Sequence, residues 1–193
     1  MFRKNLKNEF WTEKAKKEGY PARSVYKLKE IDEKFRLIKK GDKILDLGCA
    51  PGSWLLYISE RTGDEGVVFG IDFDDIKIEL AKNIFFEKKD VMEEILKEKN
   101  FDLVVSDLAP KTTGIKNVDS GKSLELCVRA FEIAKIVLMP SGNFVCKIFE
   151  GSESDDFFKE IKKDFNFSTR FKPKAVLRQS KEIYIIAKDF NKG

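Results

Sequence analysis

Alternation of short apolar segments with amphipathic ones is the feature that most constrains the fold of this chain. From residue 43 onward, segments suited to buried strands are separated by stretches in which apolar residues recur at helical spacing. Strands that alternate with helices pack as a mostly parallel sheet covered on both faces. We therefore predict one doubly wound, seven-stranded α/β domain, with strands at 43–47, 67–72, 84–88, 101–107, 142–149, 168–171 and 183–187 and helices at 53–61, 75–82, 92–97, 121–138 and 153–164.

The segment before residue 43 has a different character. It predicts a charged helix at 8–19 and a second helix at 24–35, in which Val25, Leu28, Ile31 and Phe35 form an apolar stripe. No linker or repeat divides the chain. We therefore expect residues 1–193 to form a single domain, with residues 1–40 as a basic helical extension.

The net charge of +4 is unevenly distributed along the chain. Residues 1–43 carry a net +7, residues 44–158 a net −9 and residues 159–193 a net +6. Two basic ends around an acidic centre favour a polyanionic partner held by the ends. Solvated lysine-rich faces, a composition bias or adaptation to heat would give the same pattern, so charge alone leaves the partner open.

Several classes of protein are excluded by composition. The chain has no histidine, which excludes Ser-His-Asp hydrolysis, Cys-His proteolysis and His-ligated zinc, and we expect no metal site. Its three cysteines, Cys49, Cys127 and Cys146, are far apart and odd in number, so a disulfide framework is not expected. No apolar run reaches the roughly 18 residues of a membrane helix, and the first residues are charged. We therefore expect a cytoplasmic protein with no membrane partner.

The sequence DLGCAPGSW at 46–54 directly follows the first predicted strand and opens the next helix. In doubly wound folds a nucleotide-like ligand binds at this position, and Gly48 and Gly52 would let it approach the backbone. The spacing matches neither the dinucleotide fingerprint nor the phosphate-binding P-loop. A strand-terminal acid, Asp46, beside a glycine turn suits a cationic ligand that carries an amino acid.

Two further acids follow the next strands. Asp72 ends the second strand, where an acid can accept hydrogen bonds from ribose hydroxyls, and Asp90 follows the third, placed to meet an adenine edge. Each acid alone could equally be a helix cap or a turn residue. Acids at the ends of three successive strands favour a ligand site, because ligands of such sheets bind at the carboxyl ends of strands.

Three other residues are unusual for purely structural positions. Lys147 lies inside an apolar strand, where its amine would be partly desolvated unless it is paired or has a chemical task. Asp107 ends the strand at 101–107, and Glu182 precedes the one at 183–187. An edge-strand lysine with its amine in water, and carboxylates in solvated turns, are the structural alternatives.

These motifs together resemble the FtsJ/RrmJ family of RNA ribose 2′-O-methyltransferases. The resemblance runs from ARS at 22–24 and YKL at 26–28 to SKEIY at 180–184. It implies a Rossmann-like methyltransferase fold and S-adenosyl-L-methionine as cofactor. Cofactor contacts are implied for Gly52, Trp54, Asp72, Asp90 and Asp107.

The resemblance also implies a catalytic Lys-Asp-Lys-Glu tetrad of Lys27, Asp107, Lys147 and Glu182. Lys147 would be the base and Asp107 would orient it, while Lys27 and Glu182 would position the ribose. Taken alone, Lys27 would be read as a solvated helix lysine. The chain departs from the family pattern mildly at Cys49. It departs also in KTTG at 111–114, where an Asn-containing stretch is more usual, and at Lys181, where Arg is frequent, and these two departures bear on RNA contacts.

The implied substrate is a uridine of large-subunit ribosomal RNA, either as RNA or within the large ribosomal subunit. The tRNA anticodon loop remains an alternative, as does a non-catalytic RNA-binding or ribosome-assembly factor. The oligomeric state is unknown, and we favour a monomer. Candidate RNA contacts are the basic residues Arg3, Lys4, Lys7, Lys14, Lys16, Lys17, Arg23, Lys172, Lys174, Arg178 and Lys181, with Phe2, Phe10, Trp11 and Tyr20 as candidates for stacking on bases.

Overall fold

A seven-stranded sheet forms the centre of the computed structural model. The structure describes residues 2–93, 97–111, 113–177 and 179–191, without the side chains of residues 2–8, 116, 117 and 152. The strands are β1 (Lys43–Leu47), β2 (Val67–Asp72), β3 (Ile84–Lys88), β4 (Phe101–Ser106), β5 (Leu138–Phe149), β6 (Phe165–Phe171) and β7 (Glu182–Phe190). The helices are α1 (Phe2–Lys17), α2 (Val25–Phe35), α3 (Ser53–Thr62), α4 (Lys116–Val137) and α5 (Ser152–Asp164).

The strand order is β3-β2-β1-β4-β5-β7-β6, and the first five strands are parallel. β7 runs antiparallel to both of its neighbours, β5 and β6. The predicted mostly parallel, seven-stranded sheet is therefore confirmed. Because β7 is reversed, its first residue, Glu182, pairs with Phe149 at the end of β5. The start of β7 thus lies at the same edge of the sheet as the carboxyl ends of the parallel strands.

Each face of the sheet is covered by its own hydrophobic core. α4 and α5 pack on one face, where Phe101, Phe144 and Phe165 are buried. α2 and α3 cover the other face, where Leu28, Leu55 and Tyr184 are buried. The apolar stripe predicted for the second helix is confirmed, since Val25, Leu28 and Ile31 are fully buried.

The helix predicted at 75–82 does not form, so this prediction was wrong. The chain there runs through bends and turns to β3. The backbone N–H of Lys77 donates to the carbonyl of Pro51, and Ile76 and Ile78 pack against the core on the α3 face. Contacts with the glycine turn thus replace the backbone bonds of a helix, and tertiary packing outweighs the local periodicity.

The helix predicted at 92–97 is not formed by its described residues. Val91, Met92 and Glu93 form a turn, Lys97 lies in a bend, and residues 94–96 fall outside the described part of the chain. The predicted boundaries elsewhere shift by a few residues. α4 begins at Lys116 instead of 121, and β5 begins at Leu138 instead of 142.

The two N-terminal helices both form, and α1 is tied to α2. The ring centres of Trp11 and Tyr26 lie 4.8 Å apart, and Ala15 of α1 is buried. Beyond α1, the hydroxyl of Tyr20 donates to Glu60 of α3. Among the described helices, none is long and apolar enough to cross a membrane.

Candidate active site

The glycine turn between β1 and α3 leaves no room for side chains at two positions. Gly48 and Gly52 have φ angles of 79° and 109°, in the region that favours glycine. A Cβ at Gly48 would come within 2.8 Å of Leu108 Cδ2, and one at Gly52 within 2.9 Å of Ile78 Cδ1. The turn therefore packs closely against Leu108 and Ile78, and at Gly48 and Gly52 only backbone atoms face these neighbours.

Asp46 is the most unusual carboxylate of the site. Its side chain is fully buried, and neither carboxylate oxygen has a hydrogen-bond partner in the described part of the molecule. Burial raises the pKa of Asp46 well above its usual value, and the nearby charges of Asp107 and Asp72 raise it further. A buried anion without a partner is costly, and a cationic ligand would relieve that cost.

Asp72 and Asp90 lie beside a cleft at the ends of β2 and β3. Asp72 accepts backbone hydrogen bonds from Ala50 at 2.8 Å and Asp74 at 2.9 Å, so it also fixes the glycine turn. Asp90 accepts from the backbone of Met92. The cleft has a volume of about 240 Å³, and its lining is Asp72, Phe73, Lys89, Asp90, Val91, Met92, Leu108, Ala109, Pro110, Lys111 and Leu126. An acid-rimmed apolar cleft of this kind suits an adenosine group.

Trp54 is buried in the first turn of α3, and its indole N–H donates to the carbonyl of Ser24 at 2.9 Å. Its ring also lies 6.1 Å from that of Tyr184. Trp54 thus links the glycine turn to α2, which carries Lys27. The cofactor contact predicted for Trp54 stays a prediction.

The sheet brings the predicted tetrad together at its carboxyl edge. In β5, Lys147 is paired in register with Tyr184 of β7, while Asp107 directly follows β4. Lys147 Nζ lies 3.0 Å from Asp107 Oδ1 and donates to the Asp107 carbonyl at 2.6 Å. The Lys147 side chain is only 5% exposed, which rules out the alternative of an edge-strand lysine with its amine in water.

The other two tetrad residues form a second ion pair against the first. Lys27 Nζ lies 2.7 Å from Glu182 Oε1 and 3.8 Å from Asp107 Oδ1. Both Lys27 and Glu182 are 15% exposed, so Lys27 is not a solvated helix lysine. The four side chains therefore form one compact group of two amines and two carboxylates.

The carboxylate of Asp107 is held ionised by this group. Burial opposes its ionisation, but Lys147 and Lys27 and a hydrogen bond from Tyr184 outweigh burial, so the pKa of Asp107 is lowered. For Lys27, burial favours the neutral amine, while Asp107 and Glu182 dominate and raise its pKa. Both groups are therefore charged at neutral pH, and each one fixes the position of the other.

Tyr184 belongs to the site, although the sequence analysis assigned it no role. Its hydroxyl lies 2.7 Å from Asp107 Oδ1 and 3.1 Å from Glu182 Oε1, between the two carboxylates. Burial, together with both carboxylates, raises the pKa of Tyr184, so the hydroxyl keeps its proton and donates it. Its position two residues after Glu182 was the available signal, because such residues share a face of a strand.

Some of the side chains predicted to contact RNA are exposed, whereas others are buried or form ion pairs within the protein. Tyr20 is buried and Trp11 half-buried, so neither presents a free ring, whereas Phe10 is 59% exposed. Lys14 pairs with Glu18 at 3.7 Å and Lys16 with Glu13 at 3.5 Å. The side chains of Phe2, Arg3, Lys4, Lys7 and Arg178 lie outside the described residues.

No group of three or more metal-ligating side chains occurs among the residues that the structure describes. The three cysteines are buried free thiols.

Known proteins resemble this chain over most of its length. The family model of FtsJ-like methyltransferases matches residues 20–190. The ribosomal RNA large subunit methyltransferase E of Desulfatibacillum aliphaticivorans is 48% identical over 188 residues, which cover 95% of this chain and 91% of that protein. The protein of the same name from Lawsonia intracellularis is 42% identical over 191 residues, covering 95% and 96%.

Solved structures agree with the fold. A Plasmodium falciparum protein described as a ribosomal RNA methyltransferase is similar with a TM-score of 0.77 and 30% identity, and the match covers 89% of this chain and 98% of that one. A SAM-dependent O-methyltransferase from Thermotoga maritima has a TM-score of 0.60 at 15% identity, covering 84% and 64%. The second match concerns the fold alone.

Proposed function

The chain belongs to the FtsJ-like methyltransferase family, and on that premise we propose that it methylates a ribose 2′-hydroxyl of large-subunit ribosomal RNA. A uridine is the proposed target nucleotide. S-adenosyl-L-methionine is the cofactor of this family. The observation that supports the proposal most strongly is the buried pair of Lys147 and Asp107 beside the cofactor cleft. The pair of Lys27 and Glu182 lies against it.

The residues of the cleft and of the neighbouring glycine turn fit this cofactor. Asp46 would compensate its positive charge, since this buried carboxylate has no other partner in the described part of the protein. Asp72 would accept from the ribose hydroxyls and Asp90 from the adenine edge, while Gly48 and Gly52 keep the turn free of side chains. When bound, the cofactor supplies an activated methyl group on its sulfonium.

Lys147 is the proposed base because its surroundings offer as many hydrogen-bond acceptors as a neutral amine has N–H donors. A neutral amine has two N–H donors and one lone pair. Its Nζ has two acceptors, the Asp107 carboxylate at 3.0 Å and the Asp107 carbonyl at 2.6 Å. The lone pair is then left for the substrate. Lys147 would take the hydroxyl proton when the ribose oxygen accepts the methyl group that the cofactor supplies.

The other tetrad residues act as positioning groups in this scheme. Lys27 would donate to the ribose, and Glu182 holds the Lys27 amine at 2.7 Å. Tyr184 spaces the two carboxylates, since its hydroxyl lies between them. The reacting hydroxyl is thereby aligned with the methyl group, which lowers the barrier of a displacement that needs an in-line approach.

Methyl transfer to defined RNAs tests this function. The protein is incubated with methyl-labelled S-adenosyl-L-methionine and, separately, tRNA, free ribosomal RNA and large ribosomal subunits. We expect label in ribosomal RNA, free or within the subunit. Transfer to tRNA alone would overturn the ribosomal assignment, and transfer to none of the three would favour a non-catalytic RNA-binding or ribosome-assembly factor.

We further propose that the basic extension at 1–40 contacts RNA through α1. Replacing Lys14, Lys16 and Lys17 together with alanine should flatten the dependence of RNA affinity on salt by about one to two units of log–log slope. We expect a smaller change in this slope than the loss of three free charges would give, because Lys14 and Lys16 already pair with Glu18 and Glu13. Affinity for S-adenosyl-L-methionine should stay unchanged.

The matched control for this prediction is the triple alanine variant of Lys159, Lys162 and Lys163 on α5. It also removes three lysines, two of them in ion pairs one turn apart. α5 packs on the opposite face of the sheet from α2. Equal salt slopes for the two triple variants would contradict an RNA contact through α1.

A cytoplasmic location and a monomeric state also remain proposals. The buried free thiols of Cys49, Cys127 and Cys146 support a reducing compartment. Light scattering of the purified protein would measure its oligomeric state, and a mass of about twice the 22.3 kDa of one chain would overturn the monomer.

A further inference from the structure

Lys111 is a cation at the rim of the cofactor cleft that the proposed mechanism does not use. It lies four residues after Asp107, in the loop between β4 and α4, and lines the same cleft as Asp72 and Asp90. Its side chain is exposed. The position is therefore close to Asp107 in the sequence, at the cleft, and open to a large substrate.

The Lys111 amine lies near an aromatic ring of the cleft rim. Its Nζ lies 5.8 Å from the centre of the Phe73 ring, and that ring is itself 56% exposed. A cation above an exposed ring is attracted by only about 0.5–1 kcal/mol, while its charge stays available. In the described part of the chain, no carboxylate lies within ion-pair distance of Lys111.

The loop that carries Lys111 is anchored on both sides. At its start, the backbone N–H of Asp107 donates to the Leu47 carbonyl at 3.3 Å. Farther along, Asp119 is buried in the first turns of α4 and accepts from the Thr113 backbone at 2.7 Å, the Thr113 hydroxyl at 2.9 Å and the Gly114 backbone at 3.1 Å. The amine is therefore presented from a tethered loop instead of a free one.

A fixed cation at this place matches the chemistry of the substrate. A ribose that reaches Lys147 must bring its flanking phosphates to the rim of the cleft, because they are covalently joined to it. The lining of the cleft includes the acids Asp72 and Asp90, which would repel a phosphate, and the cation Lys89 between them in the sequence. Lys111, which the β4–α4 loop carries, supplies an attractive charge at the same rim.

We propose that Lys111 binds a backbone phosphate adjacent to the methylated nucleotide, with Phe73 as the support that orients its amine. This inference rests on the proposed function, since it requires an RNA substrate at Lys147. Lys111 would act on RNA affinity and alignment, and not on the proton transfer itself. A contact to the phosphate backbone carries no base information, so its effect should be the same for any RNA that the site accepts.

The test compares Lys111→Ala, Lys111→Arg and a matched control, Lys82→Ala. Lys82 is also an exposed lysine, but it precedes β3 and so lies at the opposite edge of the sheet. For Lys111→Ala we expect KM for the RNA to rise about three- to tenfold and the salt slope of RNA binding to fall by about 0.7. Lys111→Arg should retain the slope, and the Kd for S-adenosyl-L-methionine should stay within about twofold in all variants.

The possible results distinguish failure of this inference from failure of the proposed function on which it rests. Failure of the wild-type protein to methylate any RNA would overturn the proposed function. With an active wild type, a Lys111→Ala variant that matches Lys82→Ala in RNA affinity and salt slope would overturn the phosphate contact alone. Weakened cofactor binding with an unchanged RNA salt slope would assign Lys111 to the cofactor and contradict the inference equally.

Discussion

Replacing Lys147 with methionine is expected to reduce methyl transfer by about 10³-fold or more while leaving cofactor affinity within about twofold. Methionine keeps most of the side-chain volume in this 5% exposed position but has no lone pair to accept the ribose proton. Asp107 keeps Lys27 and the Tyr184 hydroxyl as partners, so its charge is not left alone. Single-turnover methyl transfer and calorimetric titration of the cofactor measure the two quantities.

Lys147→Arg distinguishes proton uptake from charge. Arginine keeps a cation beside Asp107 but does not deprotonate at the pH of the reaction. We therefore expect this variant to be nearly as inactive as Lys147→Met. Retention of more than about a tenth of wild-type activity would show that the cation alone is sufficient, and would overturn the assignment of Lys147 as base. A thermal unfolding scan of each variant confirms that the fold is intact.

Asp46→Asn is expected to change stability and cofactor affinity in opposite directions. Without cofactor, the variant should be more stable by about 1 kcal/mol, because it removes a buried charge with no described partner. Its affinity for S-adenosyl-L-methionine should fall about 10- to 100-fold, because the cationic ligand loses its buried counter-charge. Urea unfolding with and without cofactor measures both effects in one experiment.

The pH dependence of this difference follows from the direction of the pKa shift. The folded-state pKa of Asp46 lies well above its usual value of 3.8, mainly through burial. Below a pH of 3.8, the carboxyl group of Asp46 is protonated in both the folded and the unfolded state, so its burial introduces no charge that would lower the stability. As the pH rises above it, the unfolded chain loses the proton first, so the folded wild type is progressively disfavoured.

Wild type and Asp46→Asn should therefore have similar stabilities in acid and diverge as the pH rises. Cofactor affinity of the wild type should increase over the same range, since binding the cation requires the ionised carboxylate. A constant difference in stability across the range would contradict a shifted Asp46. An unchanged cofactor affinity in Asp46→Asn would remove this residue from the cofactor site.

Much of the fold could be predicted from patterns that report local structure. The alternation of strands and helices predicted the parallel sheet, and strand-terminal residues such as Asp72 and Asp107 indicated the edge that carries the site. The four tetrad residues are distant in the sequence, and only the family resemblance predicted that they meet. The antiparallel pairing of β7, which brings Glu182 to Lys27, has no local signature.

The features that were not predicted depend on contacts between distant segments. Residues 75–82 have helical spacing but bond to the glycine turn through Lys77 and Pro51. Asp46 has no hydrogen-bond partner among the described residues because of the residues that surround it, which its position at a strand end does not reveal. In the same way, the ion pairs of Lys14 and Lys16 reduce the free charge that composition alone assigns to α1.

The position of the transferred methyl group tests the central claim most directly. Large ribosomal subunits are incubated with methyl-labelled S-adenosyl-L-methionine and the wild-type protein, the RNA is digested to nucleosides, and the labelled nucleoside is identified by mass spectrometry. We predict a single uridine methylated on its ribose 2′-oxygen, and no label with Lys147→Met. A methyl group on a base, or equal labelling by the variant, would contradict ribose methylation by this site.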